Sequence, residues 1–122
     1  MRALWLALVL VVAAPAAAQP RPAGDIDRTV IREVIRQHLG QMRACYERVL
    51  QSGRPGVSGR VVVTFTIAPN GKVPTATLRD SELADPQAEA CILSAFQAMR
   101  FPPFAGRGSI TITYPLIFRP AS

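Results

Sequence analysis

Histidine is almost missing from this chain: His38 stands alone among 122 residues. Together with Cys45 and Cys91 it supplies too few ligands for a metal centre. It also has no cysteine or carboxylate at metal-ligand spacing, so it reads as a surface or boundary histidine. The same scarcity bears on hydrolase chemistry. Asp80, Ser81 and Glu82 are adjacent, but neither a second histidine nor a Gly-x-Ser-x-Gly elbow accompanies them. Loop polarity and capping account for them instead. The two cysteines are too widely separated for a Cys-x-x-Cys redox pair. Gly106-Arg107-Gly108 is not followed by a helix, so it lacks the amide cradle of a phosphate loop and reads as a connector. No catalytic constellation is left, and a non-enzymatic protein without cofactor or metal is expected.

A long apolar run is lacking too. Ala3 to Ala14 is apolar, but Pro15 breaks it, and a membrane span needs about 20 such residues. Met1-Arg2 supplies a positive start, and Ala16-Ala17-Ala18 offers a small-residue cleavage site before Gln19. That is the layout of a secretory signal peptide, with a retained anchor as the alternative. The expected division is a signal peptide at 1–18, a flexible leader at 19–24 and one domain at 25–122. Trp5 falls in the first segment and has no role in the mature fold. What remains is enough for one compact domain of about 100 residues. An even number of cysteines in an exported protein makes one disulfide, Cys45 to Cys91, the default. Closing a loop of roughly 45 residues is worth about 4 kcal/mol in the chain-entropy model.

Acidic residues are also scarce: eight Asp and Glu stand against fourteen Lys and Arg, for a net charge of +6. Nearly all the cations are arginines. Export makes nucleic acid an improbable partner. An anionic membrane surface, lipopolysaccharide or an acidic protein surface fits the charge, as does solubility alone. Arg28, Arg32, Arg36 and Arg43 share one broad side of a helical segment at i, i+4, i+8 and i+15. Like charges at i,i+4 disfavour a helix slightly. Glu33, Glu47 or an external anion offsets that, and a solvated face is the simpler reading.

Patterning supplies the elements. Ile26, Val30, Ile31, Val34, Ile35, Leu39, Met42, Cys45, Tyr46, Val49 and Leu50 recur at helical steps behind Asp25, a suitable N-cap. Gly40 weakens the middle of that helix, and Gly53 with Pro55 stops it. Gly59 to Ile67 alternates as a half-buried strand, with Val61, Val63, Phe65 and Ile67 on one side. Pro69-Asn70-Gly71 turns the chain into a second strand at Lys72 to Asp80, which Pro74 marks as an edge. Asp85-Pro86 opens a second helix, whose stripe is Ala88, Cys91, Ile92, Ala95, Phe96 and Met99 and which Phe101-Pro102-Pro103 ends. Ser109 to Phe118 is a last strand, again marked as an edge by Pro115. The predicted fold is α+β in the order α-β-β-α-β: two helices on a three-stranded antiparallel sheet, stapled by the disulfide.

The Gly59 to Ile67 strand, Asn70-Gly71, Val73, Asp85, Phe101-Pro102-Pro103 and Phe118 occur in an order that resembles the C-terminal domain of TonB-type proteins. Cys45-Tyr46-Glu47, Cys91 and Tyr114-Pro115 are further similar to the AgmX/PglI C-terminal subgroup. The resemblance implies a periplasmic module that binds a peptide of an envelope protein by strand addition, in transport or gliding-motility assemblies. It places the accepting edge at Thr111, Thr113, Tyr114, Leu116 and Ile117. TonB proteins carry a membrane anchor and a long proline-rich reach, whereas this sequence shows a cleavable leader. The resemblance therefore implies a receptor-side or adaptor module rather than an energy transducer. The alternative is a structural subunit that oligomerises, for instance as a homodimer, by pairing its last strand with a second copy.

Overall fold

A computed structural model describes residues 26–106 and 108–120. The expected signal peptide and leader, Asp25 and Arg107 lie outside the described residues. The elements are α1 (Arg28–Gln51), β1 (Gly59–Ile67), β2 (Thr75–Ser81), α2 (Pro86–Gln97) and β3 (Ile110–Phe118). They form two layers, a pair of helices on an antiparallel sheet of order β2-β1-β3.

The cap of α1 is Asp27, not Asp25. Its carboxylate accepts from the Thr29 amide at 2.9 Å. Two aspartates flank Ile26, and burial decides between them. Ile26 is buried just ahead of the cap, as is Ile31 four residues into the helix, the two positions of a hydrophobic staple. The helix ends as expected. The Ser52 amide bonds back to Arg48 and Val49, and Gly53 takes φ +98°. Leu39 departs from the expected apolar face, standing 40% exposed at the rim of the stripe.

β1 is the central strand and buries Val61, Val63, Phe65 and Ile67 as its alternation predicts. The second strand starts later than Lys72. Lys72 makes only an isolated bridge to Arg100, and Val73 and Pro74 precede the ladder. Val73 is buried all the same, so its burial mimics a strand position without a ladder bond. The turn before it is fastened to the chain after α2: Phe101 N–H donates to the Gly71 carbonyl (2.8 Å) and Phe104 N–H to Pro69 (3.0 Å).

α2 begins where Asp85-Pro86 places it, with the Asp85 carboxylate accepting from Ala88 N–H at 3.0 Å. Met99 is buried but lies beyond the helix end. The Phe65 ring meets Phe96 at 5.0 Å and Phe101 at 6.2 Å, tying β1 to α2 and its exit. Tyr46 stacks on Phe118 at 5.0 Å and donates its hydroxyl to the Val57 carbonyl, tying α1 to β3. Cys45 and Cys91 are bonded, with Cα atoms 5.7 Å apart, and join α1 to α2. Such a bridge persists in an oxidising compartment, which is consistent with export.

Candidate functional site

Both outer strands are edges, but they are built differently. β2 has seven residues and a bulge: Val62 pairs with Asp80 and Val63 with Leu78, which leaves Arg79 without a partner. Bulges and short length are ways of blunting an edge. β3 has nine residues in unbroken register with β1, from Ile110 opposite Ile67 to Phe118 opposite Gly59. Among the described residues β3 pairs with β1 alone.

The direction of each backbone group on β3 follows from one residue of β1. Arg60 sends its N–H to Glu82 Oε1 (2.8 Å) and accepts Glu82 N–H at its carbonyl (2.9 Å), so both groups point toward β2. In an antiparallel ladder this orientation alternates along the strand. Even-numbered β1 residues therefore address β2, and odd-numbered ones address β3. The odd set is paired with Ile110, Ile112, Tyr114, Leu116 and Phe118. Thr111, Thr113, Pro115 and Ile117 thus turn their backbone groups outward. Proline fits this row, since it has no amide hydrogen to offer β1. The outward donors are the amides of Thr111, Thr113 and Ile117.

The five residues expected at the edge consequently divide. Thr111, Thr113 and Ile117 present free backbone, and Ile117 is 59% exposed. Tyr114 and Leu116 direct their backbone at β1 and their side chains at the helix layer, where Leu116 is buried and Tyr114 half-buried. The hydroxyls of Thr113 and Thr111 face those of Thr64 (3.2 Å) and Thr66 (3.4 Å) on the helix-free face of the sheet.

The N-terminal half of β3 borders an open groove of about 480 Å³. Its other wall is the start of α1, with Ile26, Arg28, Ile31 and Arg32 facing Ile110 through Tyr114. The structure thus brings two of the four expected arginines to the β3 edge. Arg36 and Arg43 do not line the groove and are engaged elsewhere, Arg36 with Glu33 (3.6 Å) and Arg43 with Glu47 (3.3 Å). His38 is half-buried, and its Nδ1 donates to the Val34 carbonyl at 2.9 Å.

Sequence reasoning placed Ile26 and Ile31 on the apolar face of the first helix and missed them, with Ile110 and Ile112, as groove residues. Ile110 and Ile112 are only half-buried, whereas Leu116 and Phe118 further along the same face are buried. The alternation is the same throughout β3, so nothing in the pattern marks where the helix cover opens.

No protein-family model matches the chain, and no curated protein does. Among solved structures the chain is similar to the TonB C-terminal domain of Pseudomonas aeruginosa, with 27% sequence identity, 59% of this chain and 73% of that chain covered, and a TM-score of 0.45. It is also similar to the TonB C-terminal domain of Helicobacter pylori (residues 179–285), with 18% identity, 70% and 83% of the two chains covered, and a TM-score of 0.40.

Proposed function

We propose that this chain is a non-enzymatic periplasmic interaction module, resembling the C-terminal domains of TonB and AgmX/PglI proteins. It takes an extended peptide of an envelope protein as a fourth strand on β3, within a transport or gliding-motility assembly. The observation that carries the reading is the unbulged nine-residue edge of β3, with its outward amides at Thr111, Thr113 and Ile117. Main-chain bonds along such an edge supply affinity, and pockets for alternate side chains supply specificity. Tyr114 and Leu116 support the edge from the helix side, and Tyr114 also lines the groove.

Titrating envelope-protein peptides into the oxidised protein tests this by amide shifts. Movement concentrated at Thr111, Thr113 and Ile117 supports the reading. An unmoved last strand across a broad peptide set defeats it.

Ile117 favours a second reading. A large apolar side chain so exposed at the end of an edge strand suits a contact with another copy of the chain, giving a structural subunit paired through β3. Sedimentation over a range of concentrations separates the two, because a stable dimer through β3 leaves no edge for a peptide.

A further inference from the structure

We propose that the groove between the start of α1 and β3 selects an acidic strand, with Arg28 and Arg32 binding a carboxylate side chain of the added peptide. This rests on the strand-addition reading and names the class of peptide that the site takes.

Arg28 and Arg32 are one helical turn apart, and both line the groove opposite Ile110 to Tyr114. Among the described residues none that lines the groove is acidic. Among the described residues neither arginine has an acidic partner within ion-pair distance, whereas Arg36 and Arg43 in the same row each have a glutamate. Two guanidinium forks facing an unpaired strand edge form a fitting receptor for a carboxylate, since the fork matches its two oxygens.

Helix stability does not account for the placement of Arg28. Arg28 is the first residue of α1, and the first turn holds no acidic residue. The positive end of a helix favours anions and disfavours cations. An acidic side chain at that position would stabilise α1, so Arg28 stands where the helix alone would prefer the opposite charge.

The walls define the rest of the ligand. Ile26, Ile31, Ile110 and Ile112 give the groove apolar flanks on either side of the cations. Alternate residues of an added strand point the same way. A strand with a carboxylate between two apolar residues on one face therefore fits, with its main chain on Thr111 and Thr113.

The test uses two blocked heptapeptides, Thr-Val-Thr-Glu-Thr-Val-Thr and its twin with glutamine in place of glutamate. Each is titrated into the oxidised protein at low salt, with the amides of Thr111 and Thr113 as reporters. The glutamate peptide is expected to bind roughly tenfold tighter, with an advantage that shrinks as salt rises. In the variant Arg28→Gln/Arg32→Gln the two peptides should bind alike. The variant Arg28→Glu/Arg32→Glu should reject the glutamate peptide while melting no lower than the parent, which separates loss of recognition from loss of fold.

Equal binding of both peptides to the unaltered protein, with the Thr111 and Thr113 amides shifting, overturns acid selection and leaves strand addition standing. Silence of those amides with both peptides overturns both. A preference for glutamate that survives Arg28→Gln/Arg32→Gln overturns the assignment to these arginines. Displacement of either peptide by self-association through β3 gives the groove to a second copy and overturns the proposal.

Discussion

A Cβ placed on Gly71 would lie 1.9 Å from the Phe101 carbonyl oxygen, and the residue holds φ at +85°. Gly53 shares the positive φ but has open space around it. The two glycines therefore separate backbone strain from collision. Gly53→Ala should cost about 1 kcal/mol, the strain alone. Gly71→Ala should cost more than about 2 kcal/mol, because the β1–β2 turn must also leave Phe101. Equal losses in chemical denaturation would count against the docked turn. Gly40 is the reverse case: it lies exposed within α1 with nothing in reach of a Cβ. Gly40→Ala should stabilise by about 0.5–1 kcal/mol, seen as a rise of about 2–8 °C in the unfolding midpoint. Asn70-Gly71 was legible as a turn because its signal is local. Its fastening to Phe101, thirty residues on, was not, because the need for glycine there comes from a distant backbone.

At the scale of elements, legibility followed the punctuation. β1 and α2 begin where Gly59 and Asp85-Pro86 place them, since strand alternation and a capping aspartate with a following proline act on adjacent residues. The start of β2 and the cap of α1 were misplaced, because in each case a buried residue, Val73 or Ile26, extends the apolar pattern past the true boundary. The two proline signals, Pro74 and Pro115, read as edges, and on β3 the ladder makes a sharper statement possible. Proline costs little where an amide points outward and much where it points at β1. Thr113→Pro repeats the parity of Pro115, and Ile112 before it is already extended. The variant should stay within about 1 kcal/mol of the parent while losing one bond to an added strand, lowering peptide affinity about three- to tenfold. Tyr114→Pro removes a donor to β1 together with a half-buried ring and should cost about 3 kcal/mol or more. Thermal melts and peptide titrations of the pair read the difference. If Thr113→Pro unfolds the protein and Tyr114→Pro does not, the assigned orientation of β3 is inverted.

At the scale of the whole molecule, the groove was illegible because its two walls, the start of α1 and the start of β3, lie more than seventy residues apart in the chain. It depends on how α1 leans across the sheet, and that angle is set by packing rather than by any motif. The contacts that set it run along the whole helix. Tyr46 meets Phe118 near the C-terminal ends of α1 and β3, and the Cys45–Cys91 bridge ties α1 to α2 one residue away. Both of these lie toward the far end of α1 from Arg28 and Arg32, while the near half is held by the buried Ile26, Ile31, Val34 and Ile35. The bridge spans 46 residues, a loop worth about 4 kcal/mol in the unfolded state. In a domain this small that is a large share of the total stability. Cys45→Ala/Cys91→Ala, or reduction of the native protein, should lower the unfolding midpoint by about 15–30 °C. Well below the new midpoint, binding at the β3 edge should persist, because the bridge touches neither Thr111 nor the arginines. A midpoint unmoved by reduction would show that the helix pair holds without its staple. A peptide lost along with the bridge at low temperature would show that α1 is positioned by the sulfurs rather than by its buried isoleucines.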